Sequence, residues 1–443
     1  MKARLATIAA LAVATLPLDA SAQAWLSNRD FSEGVGIRAG NLELHPSLAG
    51  EFGYDSNFAR SSKTEGVVDV LRLRVTPSIT LSTLGMRRRN AETPPSVTFI
   101  GGAHLAYNEI IPLDSANSEV SKQRNLAAGA DARFDIFPQG KVGFDLDGGF
   151  VRAIEPNGNT DDLAHGGFNR DTVRGGAGAT WRPGGGLFDW RLGYGITYNY
   201  FEQAAFSNLL NVQHAINTQG RWRFLPRSAL LFDSSYTFVR YTGDQPLQTD
   251  GDVVRTRVGF RGLVTYHLAA LAMLGWASSF YDSRPAGLKA QNYDGLLANA
   301  ELRWFISAAP TGGETSAVAG LSSIALGYAR TVDTSYLGSF YSRDRGYAQV
   351  NASLAGRLVS GVEFGVARVA YPESDYSGGA NKAAAFDELR LDGRAFGEYR
   401  FTDSFAMNLT FLYDKINAGP ARVHGEDLDY TRYQVYLGAR LFW

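Results

Sequence analysis

The strongest constraint on the fold of this chain is an alternation of apolar and polar residues that persists over unusually long runs. In residues 71–82, leucine, valine, proline and isoleucine fill every second position, and arginine, threonine and serine fill the positions between them. Successive side chains of a β-strand point to opposite faces, so this run predicts a strand with one apolar and one polar face. The pattern returns at 188–199, 254–264 and 388–400.

The length of these runs separates two all-β architectures. Strands of soluble sandwiches are usually about five or six residues long, whereas a strand that crosses the apolar core of a membrane needs about nine to eleven residues. A sheet in a membrane must also close, because an open edge leaves backbone N–H and C=O groups unpaired in lipid. The runs therefore predict an all-β fold, a transmembrane antiparallel up-and-down β-barrel.

The links between the runs alternate in length, as in bacterial barrels with short periplasmic turns and longer extracellular loops. About eighteen runs follow position 42, and sixteen remain possible if one hairpin is overcounted. Two links on the short side, 85–95 and 308–317, break the alternation. The other short links are predicted at 138–141, 183–186, 225–228, 267–269, 358–361 and 401–404. The long links are predicted at 114–123, 155–169, 242–252, 282–291, 331–344, 371–382 and 417–429.

The first residues have the organisation of a secretory signal peptide. Lys2 and Arg4 precede an uncharged stretch that is too short to span a bilayer, and Ala20, Ser21 and Ala22 form a small-residue cleavage site. We therefore predict a signal peptide at 1–22, an N-terminal periplasmic segment at 23–41 and the barrel at 42–443. The chain has no cysteine, which excludes lipoprotein acylation and a disulfide framework.

Composition and motifs argue against several other functions. The formal net charge is -1, which gives no indication of a nucleic-acid partner. The 6 histidines are scattered without the HExxH spacing of a metalloprotease, and the sequence has neither a G-x-S-x-G serine nor a Walker loop. We expect no metal, no cofactor and no enzymatic activity. The alternative is a catalytic site of dispersed residues, with Asp161, Asp162 and His165 in a predicted outer loop as its best candidates.

Apolar and polar residues alternate along the last predicted strand up to the final residue. A terminal aromatic residue with apolar residues at every second preceding position resembles the signal that the barrel-assembly machinery recognises in outer-membrane proteins. Such a strand is an edge until the barrel closes, so a partner can pair with it by strand addition. We expect the assembly machinery as a partner, and the signal consists of Val435, Leu437, Ala439, Leu441 and Trp443.

The beginning of the predicted barrel carries a second resemblance. Residues 34–40, Leu44, Pro46 and the Gly-Tyr-Asp-Ser-Asn motif at 53–57 look like the opening of β-barrel porins associated with exopolysaccharide and capsule export. The Leu-Arg-Val-Thr-Pro motif at 73–77 resembles their second strand. The resemblance implies a conduit for an extracellular polysaccharide and suggests a periplasmic polysaccharide-export protein as a partner. It supplies no functional residues.

Motif 53–57 also has a direct interpretation. Asp55 and Asn57 favour a turn through side-chain to backbone hydrogen bonds, and Tyr54 suits an interfacial girdle. The motif is therefore predicted to be the place where the first strand gives way to an outer loop. A metal or sugar site at Asp55 and Asn57 is the alternative.

If the apolar set faces lipid, the polar set lines the lumen. One interpretation is a ladder of cross-strand ion pairs that stiffens a hydrated wall. The other is a wall that binds cargo, since guanidinium groups bind carboxylates or sulfates bidentately and rings such as Tyr436 stack on sugars. The candidate lumen-lining residues are Arg72, Arg74, Arg191, Arg221, Arg223, Arg255, Arg257, Arg261, Arg390, Arg394, Arg432 and Arg440.

The sequence thus predicts a porin of the cell outer membrane, surrounded by lipid and lipopolysaccharide, with polysaccharide as its cargo. Eighteen strands enclose a lumen too wide to be filled by side chains alone, so a channel is expected. A general diffusion porin for small solutes and a structural barrel that docks a periplasmic machine remain the alternatives.

Overall fold

The long alternating runs form one continuous antiparallel sheet. A computed structural model describes residues 36–64, 66–83, 95–113, 125–153, 170–202, 204–243, 249–282, 291–306, 322–335, 339–354, 357–376, 381–419, 422–423 and 426–443. In these residues, eighteen long strands each pair with their neighbours in chain order. The strands are β1 (Leu42–Asp55), β2 (Val70–Thr83), β3 (Val97–Pro112), β4 (Asn125–Ile136), β5 (Val142–Ala153), β6 (Arg170–Trp181), β7 (Phe188–Phe201), β8 (Asn211–Leu225), β9 (Ser228–Tyr241), β10 (Gly251–Leu263), β11 (Leu268–Tyr281), β12 (Asp294–Phe305), β13 (Ser323–Thr334), β14 (Phe340–Leu354), β15 (Leu358–Tyr371), β16 (Phe386–Thr402), β17 (Phe405–Asn417) and β18 (Tyr430–Phe442).

The sheet closes where the first and last strands meet. β1 pairs with β18 from Ser47 opposite Phe442 to Asp55 opposite Gln434. The backbone N–H of Trp443 donates to the carbonyl of Pro46 at 3.1 Å and extends the pairing by one more bond. The predicted closed up-and-down barrel is therefore confirmed. Within the described ranges, no helix is long and apolar enough to cross a membrane.

The outer surface of the barrel is apolar between two aromatic belts. On β2, Leu73 and Val75 are exposed while Arg72 and Arg74 are buried on the opposite face. On β11, Trp276 lies eight residues from Leu268, the register partner of Trp304. At about 3.3 Å per residue and the usual tilt, the two tryptophan levels are about 20 Å apart along the barrel axis, close to the apolar thickness of an outer-membrane barrel.

Most predicted links fall between strands, but some do not. The prediction of a link at 358–361 is wrong, because β14 ends at Leu354 and β15 already begins at Leu358. The prediction of a long loop at 331–344 is also wrong, because β13 continues to Thr334 and β14 starts at Phe340. Charged residues occupy both faces there and hide the alternation. Similarly, β11 begins at Leu268, so the link predicted at 267–269 lies at 264–267.

In the described part of the chain, three short strand pairings lie at the ends of the barrel strands. Ile37–Ala39 folds back on the start of β1, Ser374–Tyr376 pairs with Asn381–Ala383, and Arg422–Val423 pairs with Glu426–Asp427. The first of these pairings belongs to the predicted periplasmic segment 23–41. The predicted signal peptide, the links at 114–123, 155–169 and 308–317, and the candidate catalytic residues at 161–165 lie outside the described residues.

Candidate functional site: the barrel lumen

The lumen wall is formed by the polar sides of the alternating strands. The structure places all twelve predicted arginines on the inner face, where they alternate along the strands with the exposed apolar residues of the outer face. Their surroundings differ sharply around the barrel. We call the inner faces of β16, β17, β18, β1 and β2 the seam sector, and the inner faces of β5 to β15 the open wall.

The inner-face charged side chains of β18, β1 and β2 in the seam sector, together with Glu398 of β16, are withdrawn from solvent. Arg72, Arg74, Arg432 and Arg440 are buried, and Arg432 and Glu398 are among the largest fully buried side chains described. A buried charge is costly unless it is paired and hydrogen-bonded. Every one of these groups has such a partner. Arg440 binds Glu398 through two hydrogen bonds of 2.6 and 2.7 Å.

The centre of the seam sector is Asp55, which is 0% exposed. Arg432 donates from Nε to its Oδ1 at 2.8 Å and from a second nitrogen to Oδ2, and Gln434 donates to Oδ2 at 2.7 Å. Arg72 completes the group with Nη1 at 3.6 Å from Oδ2. These partners belong to β18 and β2, so the carboxylate of β1 ties both of its neighbours together across the seam. We call these four side chains the Asp55 network.

The same geometry argues against a metal or sugar site at Asp55 and Asn57. The carboxylate of Asp55 is surrounded by donors of the protein itself. Asn57 is buried, its Oδ1 accepts the backbone N–H of Ser61 at 3.0 Å, and its Nδ2 donates to the Ser61 carbonyl at 2.8 Å. Asn57 therefore holds a turn. Among the described residues, no cluster of three or more potential metal ligands is present.

Tyr436 is also unavailable to a passing ligand. It is 1% exposed, and its hydroxyl accepts hydrogen bonds from Arg72 at 3.1 Å and from Gln434 at 3.0 Å. Its ring lies over Gly53, the register partner on β1, where an added Cβ would come within 2.2 Å of the ring. The expectation that Tyr436 stacks on sugar is therefore wrong, because the ring fills the seam between two strands.

The open wall contrasts with the seam sector, since its arginines are half-buried or exposed. Arg191 donates to Asp145 at 2.9 and 2.5 Å, and Arg257 donates to Asp233 at 3.0 Å. Arg255 reaches Asp333 at 2.9 Å. Arg221 binds Asp189 on the neighbouring strand, whereas Arg390, on β16 of the seam sector, binds Glu388 on its own strand. The Arg257–Asp233 and Arg221–Asp189 pairs join neighbouring strands, as the ladder interpretation of the sequence expects. The Arg191–Asp145 and Arg255–Asp333 pairs reach across one and two intervening strands, so the wall carries a wider network of ion pairs than a ladder of neighbours.

Two predicted arginines of the open wall are less engaged. Arg223 lies 3.7 Å from Asp189, a carboxylate that Arg221 already binds. Arg261 is exposed and forms no ion pair with any described residue. These two positions leave guanidinium groups facing the lumen. Arg394, on β16 of the seam sector, is half-buried on the inner face, where its register partner on β15 is Glu363.

Several inner-face arginines were not predicted from the sequence, and two of them lie on one strand. Arg343 and Arg345 lie on β14, in and beside the run that was predicted as a loop. Arg345 binds both Asp392 and Glu363, the latter at 2.6 Å. The missed signal is the alternation that starts at Tyr341 and continues through Tyr347 on the same face.

The first extracellular link turns inward. We call residues 56–64 and 66–69 the inner loop. Phe58 packs in a buried cluster with Val68, Val70 and Ile110, and the guanidinium of Arg72 lies 5.6 Å from the centre of the Phe58 ring. The predicted outer loop is thus folded over the inner faces of β2 and β3, because those faces are apolar at this level. This loop narrows the lumen beside the seam sector.

A closed barrel with an apolar outer band, aromatic belts and a charged interior defines an outer-membrane β-barrel, and the chain is a protein of the cell outer membrane. No protein-family model matches the chain, and no curated protein matches it. The described strand pairing alone establishes the architecture.

Solved structures with a similar fold include outer-membrane proteins of Pseudomonas aeruginosa and Acinetobacter baumannii. OpdK of Pseudomonas aeruginosa, solved with vanillate, has 10% identity, with 90% of this chain and 99% of OpdK aligned at a TM-score of 0.45. OpdQ of the same organism also has 10% identity, with 91% of this chain and 100% of OpdQ aligned at a TM-score of 0.45. OccAB4 of Acinetobacter baumannii has 10% identity, with 90% of this chain and 98% of OccAB4 aligned at a TM-score of 0.43.

Proposed function

We propose that this protein is a diffusion porin for small hydrophilic solutes. The observation that carries the proposal is the open wall, where the inner-face arginines from β5 to β15 line the interior without being buried. Charged groups avoid an apolar interior unless they are fully compensated, so a half-buried charged wall indicates water beside it. An eighteen-stranded barrel has room for that water.

The seam sector and the inner loop argue for small solutes rather than a polymer. A polysaccharide conduit needs free donors and aromatic faces along its path, as in other sugar-binding surfaces. Arg72, Arg74, Arg432, Arg440 and Tyr436 are instead buried and bonded to neighbouring side chains. The inner loop further occupies the lumen on that side. Polysaccharide export therefore remains a prediction of the sequence resemblance, with no contact in the described lumen that favours it.

The remaining charges set a weak preference for anions. Arg261 has no ion-pair partner among the described residues, and Arg223 shares Asp189 with Arg221. A solute that passes these groups meets guanidinium donors that match carboxylates and phosphates geometrically. We therefore expect the pore to conduct anions somewhat better than cations.

Planar-bilayer recordings test both parts of the proposal. The wild-type barrel should give stable single-channel steps, and its reversal potential in a salt gradient should indicate mild anion selectivity. The triple variant Arg255→Gln/Arg257→Gln/Arg261→Gln should shift that potential toward cation selectivity. Arg368→Gln, on the outer face of β15, is the matched control and should leave it unchanged. Folded protein without conductance steps, or a triple variant with unchanged selectivity, would count against the proposal.

The size of the solute is tested by swelling of liposomes that contain the purified barrel. Monosaccharides and disaccharides should enter, while long acidic polysaccharides should neither enter nor block the current. A concentration-dependent block by a long acidic polysaccharide would favour the conduit over the small-solute porin.

A further inference from the structure

A row of alternating charges crosses four neighbouring strands on the outer surface of the barrel. Arg330 on β13 is the register partner of Asp344 on β14, which is in turn the register partner of Arg368 on β15. Asp387 on β16 follows, bound by Arg368 from Nε at 3.1 Å and from a second nitrogen. We call these four residues the rim row. None of them belongs to the lumen wall.

The rim row lies at the extracellular edge of the apolar band. Tyr328, two residues before Arg330 on the same face, belongs to the aromatic belt and donates its hydroxyl to Asp344 at 2.6 Å. Immediately below, the outward residues are apolar, with Leu326 on β13 and Val366 on β15 exposed to the membrane. The row therefore faces the layer where the headgroups of the outer leaflet begin.

The arrangement leaves guanidinium donors available in that layer. Arg330 uses Nη1 for both oxygens of Asp344, at 3.2 and 3.3 Å, and its side chain is 37% exposed although its Nε atom is buried. Arg368 uses Nε and Nη2 for Asp387 and donates from Nη1 to no described residue. Its side chain is 67% exposed. The two carboxylates thus fix the planes of two partly exposed guanidinium groups, and Arg368 presents its Nη1 donor outward.

We propose that the rim row is a binding site for the phosphate groups of an outer-leaflet glycolipid of the lipopolysaccharide type. Arginine binds phosphate through paired, charge-assisted hydrogen bonds, and its affinity rises when the guanidinium plane is held in place. Arg330 and Arg368 flank Asp344 from two sides, so one anionic headgroup is able to engage both. Tyr328 supplies the adjoining amphipathic surface for the sugar ring and the start of the acyl chains.

Lipid binding by the intact barrel tests this site. Purified protein is mixed with lipid A that carries its phosphates or with the same lipid after dephosphorylation, and bound lipid is counted by native mass spectrometry. Wild type should prefer the phosphorylated lipid. Arg330→Gln/Arg368→Gln should bind it about tenfold more weakly, the loss expected for removing charge-assisted contacts to phosphate. Arg261→Gln/Arg357→Gln removes the same charge from the lumen and the periplasmic turn, and should bind like wild type.

A gain-of-binding variant separates a lipid site from a structural ion-pair row. Asp387→Asn removes the negative charge that holds Arg368, so phosphorylated lipid A should bind several-fold more tightly. Heat-modifiable migration on gels verifies that each variant is a folded barrel. The proposal is overturned if wild type does not distinguish the two lipids, if the double arginine variant binds phosphorylated lipid as wild type does, or if Asp387→Asn has no effect.

Discussion

Removal of the Asp55 carboxylate should destabilise the barrel far more than removal of an exposed carboxylate. Asp55→Ala leaves Arg432, Arg72 and Gln434 without their common acceptor, and Asp55 and Arg432 have side-chain exposures of 0% and 2%. Loss of one member of a buried ion pair typically costs about 3–5 kcal/mol, because the other charge stays buried and unpaired. We therefore expect the free energy of unfolding to fall by about 4 kcal/mol.

The matched control is Asp387→Ala, which breaks an ion pair of the outer surface. The side chains of Arg368 and Asp387 are 67% and 48% exposed, and such pairs contribute about 0–1 kcal/mol. The assay is equilibrium unfolding by denaturant in lipid vesicles, followed by tryptophan fluorescence. The double variant Asp55→Ala/Arg432→Met also removes the buried charge of Arg432. Its free energy of unfolding should therefore lie between that of Asp55→Ala and that of wild type. Equal effects of Asp55→Ala and Asp387→Ala would refute the assignment of a buried closing network.

Three further predictions concern the seam and the inner loop. Phe58→Ala removes the anchor of the inner loop, so the single-channel conductance should increase and the current should become noisier. An unchanged single-channel current would show that the loop does not narrow the pore. Gly53→Val drives a side chain into the Tyr436 ring and should cost about 1–3 kcal/mol, with partial relief when Tyr436→Ala is added; tolerance of the valine would contradict the close approach. Trp443→Ala should slow barrel assembly, measured as delayed appearance of the heat-modifiable band, whereas wild-type kinetics would remove Trp443 from the assembly signal.

The architecture was predictable because apolar and polar residues must alternate along every strand of a membrane barrel. The run at 71–82 became β2 with its arginines inside and its leucines outside, as the period of two requires. The number of strands was predictable for the same reason, because each alternating run corresponds to one strand. The alternation fails only where both faces are polar, as at the ends of β13 and β14, where ion pairs occupy the inner and the outer surface.

The distinction between buried and hydrated arginines was not predictable. Arg72 and Arg257 occupy the same kind of alternating position, yet one is buried in the seam sector and the other is half-buried in the open wall. The difference depends on side chains from strands far apart in sequence, such as Arg432 on β18 beside Asp55 on β1. The inward fold of the inner loop depends likewise on the contact of Phe58 with Ile110.

Neighbouring residues with opposite orientations provide the most direct test of the whole account. The chain has no cysteine, so a single introduced thiol reports on its own position. Arg257→Cys faces the open wall and should react quickly with a water-soluble, membrane-impermeant maleimide, whereas Val258→Cys faces lipid and should be protected until the membrane is dissolved. Equal labelling of the two positions in intact membranes would contradict a closed barrel with a hydrated interior.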